Sequence, residues 1–103
     1  MTKGQILKHN FTKGDLKLYD SNWNLIYYED STGFWYKREY DSNGNPTYYE
    51  SSTGSWHKRE FDSNHNEIYY ESSTGSWYKQ EFDTNGNETY YENSDGLIRY
   101  TIW

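Results

Sequence analysis

Acidic and amide side chains recur in this sequence at a spacing that could bind calcium. The pattern D-[ST]-N-x-N occurs four times, at 20–24, 41–45, 62–66 and 83–87. It matches the opening of a calcium-binding loop, which continues with a glycine at its sixth position and a bidentate glutamate at its twelfth. In the copy that begins at Asp41, these positions hold Pro46 and Ser52. Because the completing residues are missing, we expect hairpin turns here, with no metal site and no cofactor.

The three histidines do not form a catalytic pattern. His9, His57 and His65 are scattered, and His57 stands where two other copies have Tyr36 and Tyr78. Such interchangeability argues against a required base or metal ligand. The motif Tyr-Tyr-Glu occurs four times, whereas an active site usually needs one constellation unlike the rest. We therefore predict a protein that is not an enzyme and has no catalytic residues.

A 21-residue repeat organises the chain. The segment YDSNGNPTYYESSTGSWHKRE at 40–60 returns at 61–81 as FDSNHNEIYYESSTGSWYKQE. A repeat of this period indicates a small supersecondary unit that is copied and stacked. We divide the single domain, residues 1–103, into a divergent N-terminal cap at 1–18, repeats at 19–39, 40–60 and 61–81, and a C-terminal partial repeat and cap at 82–103.

Alternation and turn residues predict strands throughout. Each unit has a shorter strand that ends in Tyr-Tyr-Glu, at 25–29, 46–50, 67–71 and 88–92, and a longer strand, at 34–40, 55–61, 76–82 and 97–103. We expect two further strands in the cap, at 5–8 and 16–19, joined by a tight turn. The predicted fold class is all-β, with about ten strands in an antiparallel meander of tandem β-hairpin repeats that forms a thin curved sheet. A β-hairpin solenoid is the alternative.

The composition indicates how such a sheet is held together. Hydrophobic residues make up only 32% of the chain, which by itself favours disorder. However, aromatic residues make up 21%, and each large ring can bury roughly 150–250 Å². We therefore expect aromatic ladders across the strands, aided by lysine and arginine over the rings, in place of a thick aliphatic core.

The charge balance limits the classes of partner. A net charge of -6 disfavours direct binding to nucleic acid and favours a protein with a basic surface. No apolar run is long enough to cross a membrane, and residues 1–10 lack a signal-peptide core. We expect a soluble cytoplasmic protein. The apolar strand at 97–103 either caps the array or pairs with a second copy as a homodimer.

Residues 19–96 resemble known repeats. The pattern G-x-W-x-K-x-[YF]-D-x-N-G-N-x-x-Y-Y-E, best matched at 40–45, is similar to the YD-type repeats of RHS-like proteins. This resemblance implies structural β-hairpins without catalytic residues. A second likeness, through Tyr48, Tyr49 and Gly54, is to aromatic hairpin repeats of the choline-binding type. The chain also resembles small acidic, tyrosine-rich bacterial and phage proteins, which suggests an inhibitor directed at a host.

The candidate binding residues are rings rimmed by carboxylates. Tyrosine and tryptophan are favoured anchors at protein interfaces. We therefore predict a protein–protein interaction surface that consists of Trp35, Trp56, Trp77, Tyr28, Tyr49, Tyr70, Tyr91, Glu50, Glu71 and Glu92. In a more specific hypothesis, a phage or mobile-element inhibitor blocks a basic nucleic-acid-binding cleft of a host protein. The alternatives are a carbohydrate or small-ligand binding repeat, in which rings stack on sugars, and a purely structural repeat.

Overall fold

The computed structural model describes residues 2–102. A short helix, α1, covers Lys3–Leu7, and one turn of 3-10 helix follows at Phe11–Lys13. The strands are β1 (Leu16–Tyr19), β2 (Leu25–Glu29), β3 (Trp35–Tyr40), β4 (Pro46–Ser51), β5 (Trp56–Phe61), β6 (Glu67–Ser72), β7 (Trp77–Phe82), β8 (Glu88–Asn93) and β9 (Ile98–Tyr100). They form one open antiparallel sheet in the order of the sequence. The prediction of an all-β hairpin meander is therefore confirmed.

The Asp-Asn segments form the hairpin turns at one end of the strands. In the turn that begins at Asp41, the Oδ1 atom accepts hydrogen bonds from the backbone N–H groups of Asn43 and Asn45, both at 2.9 Å. The Oδ2 atom accepts from the side-chain amide of Asn45 at 3.1 Å. The fourth position of this turn, Gly44, has φ 83°, a backbone conformation that glycine adopts without steric cost. The carboxylates thus hold the turns closed, as the sequence predicts.

The molecule is a thin slab. Its principal extents are 56 × 30 × 16 Å, and the radius of gyration of its Cα atoms is 17.7 Å. A compact protein of about 100 residues would have a radius of gyration of about 13 Å. Among the described residues, only Leu16 and Tyr27 are buried hydrophobic residues. The expected absence of a thick aliphatic core is confirmed, and the stability of the sheet must come from contacts on its faces.

The N-terminal cap differs from the prediction. We expected strands at 5–8 and 16–19, but only β1 is a strand, and α1 replaces the other. The Thr2 side chain accepts from the backbone N–H of Gln5, whose side chain accepts in turn from the backbone N–H of Thr2. This capping box, together with contacts to β2, stabilises a helix where short-range apolar spacing indicated a strand.

The strand boundaries differ in smaller ways. Residues 2–102 contain nine strands instead of about ten. The two strands of the central repeats have equal lengths, because β4 and β6 extend one residue beyond Tyr-Tyr-Glu and because β5 and β7 begin at tryptophan. The last strand is Ile98–Tyr100, shorter than predicted, and Trp103 lies outside the described residues. No helix within residues 2–102 is long and apolar enough to cross a bilayer.

Candidate binding surfaces

Cross-strand pairing sorts the side chains onto two faces. Residues directly opposite each other in an antiparallel pair share a face, and successive residues along a strand alternate. Glu50 on β4 lies opposite Trp56 on the following strand and opposite Lys37 on the preceding strand. We call this side the tryptophan face. His57 lies opposite Tyr49, which lies opposite Arg38, and we call that side the tyrosine face.

A continuous ladder of rings crosses the tyrosine face from β2 to β8. Successive centroids lie between 5.0 and 6.0 Å apart through Tyr28, Tyr36, Tyr49, His57, Tyr70, Tyr78 and Tyr91. Guanidinium groups lie over the rings, with Arg38 4.9 Å from Tyr36 and Arg59 5.2 Å from Tyr70. Such cation–π and ring–ring contacts stabilise neighbouring strands against each other. The rings of this face are therefore largely occupied in holding the sheet together.

The tryptophan face carries a repeated unit of one tyrosine, one glutamate and one tryptophan. In each unit the tyrosine hydroxyl donates to the glutamate two residues later, and the tryptophan lies opposite that glutamate on the next strand. The first unit is Tyr27, Glu29 and Trp35, the second is Tyr48, Glu50 and Trp56, and the third is Tyr69, Glu71 and Trp77. A fourth unit is incomplete. Its Tyr90 hydroxyl donates to Glu92, but the residue opposite Glu92 is Ile98 in place of a tryptophan.

Charge is unevenly divided between the faces. On the strands, the tryptophan face has the carboxylates Glu29, Glu39, Glu50, Glu60, Glu71, Glu81 and Glu92, against the lysines Lys37, Lys58 and Lys79. The tyrosine face has the cations Lys17, Arg38, Arg59 and Arg99, against the carboxylates Glu67 and Glu88. The acidic character of the chain is thus concentrated on the tryptophan face and in the turns.

The first unit is covered by the chain's own N-terminal segment. The Glu29 carboxylate, only 2% exposed, accepts from the Thr2 hydroxyl at 2.7 Å and from the Gly4 backbone N–H at 2.8 Å. The Lys3 ammonium lies 5.5 Å from the centre of the Tyr27 ring. A Cβ atom on Gly4 would lie 2.6 Å from the Phe11 ring and 2.8 Å from both Glu29 carboxylate oxygens, so a larger residue here would displace these side chains. The equivalent residues of the second and third units are half-buried and remain accessible.

The first unit also differs from the others in the residue opposite its glutamate. The residue opposite the glutamate on the preceding strand is Lys37 for Glu50 and Lys58 for Glu71, but it is Leu16 for Glu29. Lys37 forms an ion pair with Glu50 at 3.5 Å, whereas Lys58 lies 5.3 Å from the Trp56 ring. Without a lysine opposite it, Glu29 receives its compensating donors from α1. Of the described residues, no cation lies within ion-pair distance of Glu71, so the third unit is the least obstructed complete copy.

At neutral pH the tyrosines of these units are protonated donors and the glutamates are ionised acceptors. The hydrogen bond to Glu92 is the largest of the effects that raise the pKa of Tyr90, to about 12, so that its hydroxyl remains a donor at neutral pH. Burial acts to raise the pKa of Glu29, but hydrogen bonds from Thr2, Gly4 and Tyr27 lower the pKa below its ordinary value of 4.5. Glu29 is therefore an anion at neutral pH.

The predicted binding residues fall on both faces. The structure brings Trp35, Trp56 and Trp77 together with Glu50, Glu71 and Glu92 on the tryptophan face. It places Tyr28, Tyr49, Tyr70 and Tyr91 in the ladder on the tyrosine face. The tyrosines that share the tryptophan face are Tyr27, Tyr48, Tyr69 and Tyr90, which the sequence-based selection omitted. Their spacing could have identified them, because each lies two residues before a glutamate and residues two apart in a strand share a face.

A β-bulge moves one residue of each central repeat to the other face. Pairing shifts between Glu60 and Phe61, so that Phe61 lies opposite Glu67. Simple alternation would put Glu67 on the tryptophan face with Tyr69. Instead, its carboxylate pairs with Arg59 at 3.1 Å and accepts from the Tyr78 hydroxyl, both on the tyrosine face. A bulge changes the direction of a side chain in this way, and the alternation of residue types does not predict it.

Comparison with known proteins leaves the family open. No family model matches the chain. No curated protein matches it either. The resemblance to YD-type repeats and to choline-binding-type repeats therefore stays a prediction from the residues quoted above.

Proposed function

We propose that this chain is a non-enzymatic protein-binding repeat, whose tryptophan face binds a basic surface of a partner protein. The single observation that carries the proposal is the contact between α1 and the first unit. There, Lys3 lies over the Tyr27 ring and hydrogen-bond donors of the N-terminal segment meet the Glu29 carboxylate. The second and third units repeat the same tyrosine, glutamate and tryptophan, and they are accessible to a partner that offers similar donors.

The division of charge supports this choice of face. The carboxylates of the tryptophan face favour encounter with a cationic surface and disfavour phosphate backbones. The tryptophan rings of this face are also less involved in ring–ring contacts than the tyrosines of the opposite face. Lys58 lies 5.3 Å from the Trp56 ring, and Lys79 lies 5.4 Å from the Trp77 ring. These exposed lysine side chains can move aside at little cost, and tryptophan then becomes available as an interface anchor.

A more specific form of the proposal names the partner's class. A strongly basic surface is typical of proteins that bind nucleic acids. In this form the chain occupies the nucleic-acid-binding cleft of a cytoplasmic host protein, as a phage or mobile-element inhibitor of host defence. Binding would then compete with DNA or RNA and weaken with added salt.

Removal of two charges from the tryptophan face tests the proposal. We expect the double variant Glu71→Gln and Glu92→Gln to bind the partner about tenfold more weakly, because two interfacial charges are lost while glutamine still accepts from tyrosine. The partner is isolated from the native host. The dissociation constant of its complex with each variant is measured by calorimetry at several salt concentrations.

A charge-matched control separates the position of the charges from net charge. The double variant Asp15→Asn and Asp95→Asn also removes two carboxylates, but both residues are exposed and lie outside the strands. It should bind like the original chain. Equal weakening in both double variants, or an affinity that is independent of salt, would contradict the proposal.

A further inference from the structure

One position on the tyrosine face differs among the repeats. Position 67 in the third repeat is glutamate, and Glu88 follows it 21 residues later, but the equivalent residue in the second repeat is Pro46. Each of these residues occupies the end of a bulged pair, opposite Phe61, Phe82 or Tyr40. The second repeat thus lacks a carboxylate that the next two repeats have at this place.

The environment of Glu67 shows what such a carboxylate contacts. On the preceding strand, Arg59 forms an ion pair with it at 3.1 Å. On the following strand, the Tyr78 hydroxyl donates to Oε1 and the Gln80 amide donates to the Glu67 backbone carbonyl at 2.7 Å. Glu88 is placed similarly and pairs with Arg99 of the following strand at 2.6 Å. A carboxylate at this position is therefore held between two neighbouring strands.

The same positions around Pro46 carry more positive charge. Arg38 is equivalent to Arg59, His57 to Tyr78, and Arg59 to Gln80, each 21 residues apart. These residues line an open groove with Tyr40, Pro46 and Tyr49. Among the described residues, Arg38 pairs with no carboxylate, although Arg59 and Arg99 each do. The groove therefore has one unpaired guanidinium, that of Arg38, together with an imidazole and the Arg59 guanidinium, which also pairs with Glu67. The next repeat has its own carboxylate at this place.

We propose that the groove beside Pro46 is a binding site for a carboxylate group. Arg38 supplies the unpaired charge, and His57 supplies a further hydrogen bond. Arg59, which also pairs with Glu67, adds N–H donors at the edge of the groove. The ligand occupies the place that Glu67 takes in the next repeat. Its chemical class is an acidic side chain of a peptide or protein. This site lies on the face opposite the proposed partner surface and prefers the opposite charge, so it is a separate function of the sheet.

The state of His57 agrees with this arrangement. Burial is the largest of the effects that lower the pKa of His57, and the positive charges of Arg59 and Arg38 lower it further. Its ring is stacked on Tyr49 at 5.0 Å, which fixes the orientation of the imidazole beside the groove. The neutral imidazole keeps one N–H group, which can donate to a carboxylate as the Tyr78 hydroxyl donates to Glu67.

The test uses N-acetylglutamate amide as a carboxylate probe. Chemical shifts of the His57 ring and of the Tyr49 and Arg59 amides are followed by NMR during titration, with sodium chloride at equal ionic strength as the reference. We expect saturable shifts at these residues with a millimolar dissociation constant. Shifts that do not saturate, or that sodium chloride reproduces, would overturn the proposal. Tighter saturation by inorganic phosphate would overturn the assignment to carboxylates.

Four variants locate the site. Pro46→Glu should abolish the shifts, because the chain then supplies its own carboxylate, whereas Pro46→Gln should retain them. Arg38→Gln should weaken binding at least tenfold, whereas Lys37→Gln, which removes the same charge from the opposite face, should not. Thermal melting of each variant verifies that the sheet is intact. Equal binding by Pro46→Glu and the original chain, or equal loss in Arg38→Gln and Lys37→Gln, would contradict the assignment.

Discussion

Replacement of Glu29 with alanine should release α1 from the sheet. The Glu29 carboxylate accepts hydrogen bonds from Thr2, Gly4 and Tyr27 at 2.7, 2.8 and 2.9 Å, and hydrogen bonds to a charged group contribute about 1.5–3 kcal/mol each. Part of this free energy is offset because the released segment regains conformational freedom and its donors regain water. We therefore expect docking of α1 to weaken by about 2–4 kcal/mol.

Hydrogen exchange measures this release directly. The Gly4 backbone N–H, which donates to Glu29, should exchange at least about 30-fold faster in the variant, since 1.4 kcal/mol corresponds to a factor of about ten. The amides of β4 to β7 should keep their protection, because each repeat of an array contacts mainly its neighbours. Glu50→Ala changes the equivalent residue of an accessible unit and serves as the control. Unchanged exchange at Gly4 would contradict the role of Glu29.

Acid should have the same effect as the substitution. The pKa of Glu29 in the docked state is below its ordinary value of 4.5, so docking favours the carboxylate form. The stabilisation from this group is therefore complete above about pH 5 and is lost as the pH falls through the lowered pKa. The NMR signals of α1 report this loss. In Glu29→Gln, which has no titrating group at this position, the pH dependence of docking should be much smaller.

Removal of one ring from the middle of the ladder should destabilise the whole sheet. Tyr70 lies between His57 and Tyr78, with ring centroids at 6.0 and 5.2 Å, and Arg59 covers it. Truncation of a fully buried aromatic residue to alanine costs about 3–5 kcal/mol. Because Tyr70 is only half-buried, we expect Tyr70→Ala to lower the free energy of unfolding by about 2–3 kcal/mol.

Two comparisons show whether the ring is responsible. Tyr70→Phe keeps the ring and should change the free energy of unfolding by less than about 0.5 kcal/mol, because the Tyr70 hydroxyl has no hydrogen-bond partner among the described residues. Thr47→Ala removes a smaller side chain from a central strand and should also have a small effect. Urea denaturation followed by circular dichroism measures all three variants. A loss below 1 kcal/mol in Tyr70→Ala would contradict the role of the ladder.

The regular part of the fold follows from the sequence because its signals are local. Aspartate, asparagine and glycine at 41–45 determine a closed turn by hydrogen bonds within five residues. Alternation on both sides of such turns then determines the strands and their order. The same locality explains the error in the cap. The spacing of Thr2 and Gln5 was a capping-box signal, but α1 also depends on Glu29, which is distant in sequence.

The candidate surfaces are less predictable because they depend on register. Alternation separates Tyr48 from Tyr49, but only the pairing of Glu50 with Trp56 shows which tyrosine shares a face with tryptophan. The groove beside Pro46 depends on a bulge and on the comparison with Glu67. Neither property is encoded by the identity of a single residue, so the sequence alone identified the ring types without their arrangement.

Small-angle X-ray scattering tests most directly the claim that a thin, open sheet leaves both faces accessible. For a monomer, verified by its molecular mass, the radius of gyration should lie close to the 17.7 Å of the Cα trace, with a distance distribution that extends towards the 56 Å length. A radius near 13 Å, as expected for a compact protein of about 100 residues, would mean that the rings are enclosed, and would contradict both proposed surfaces.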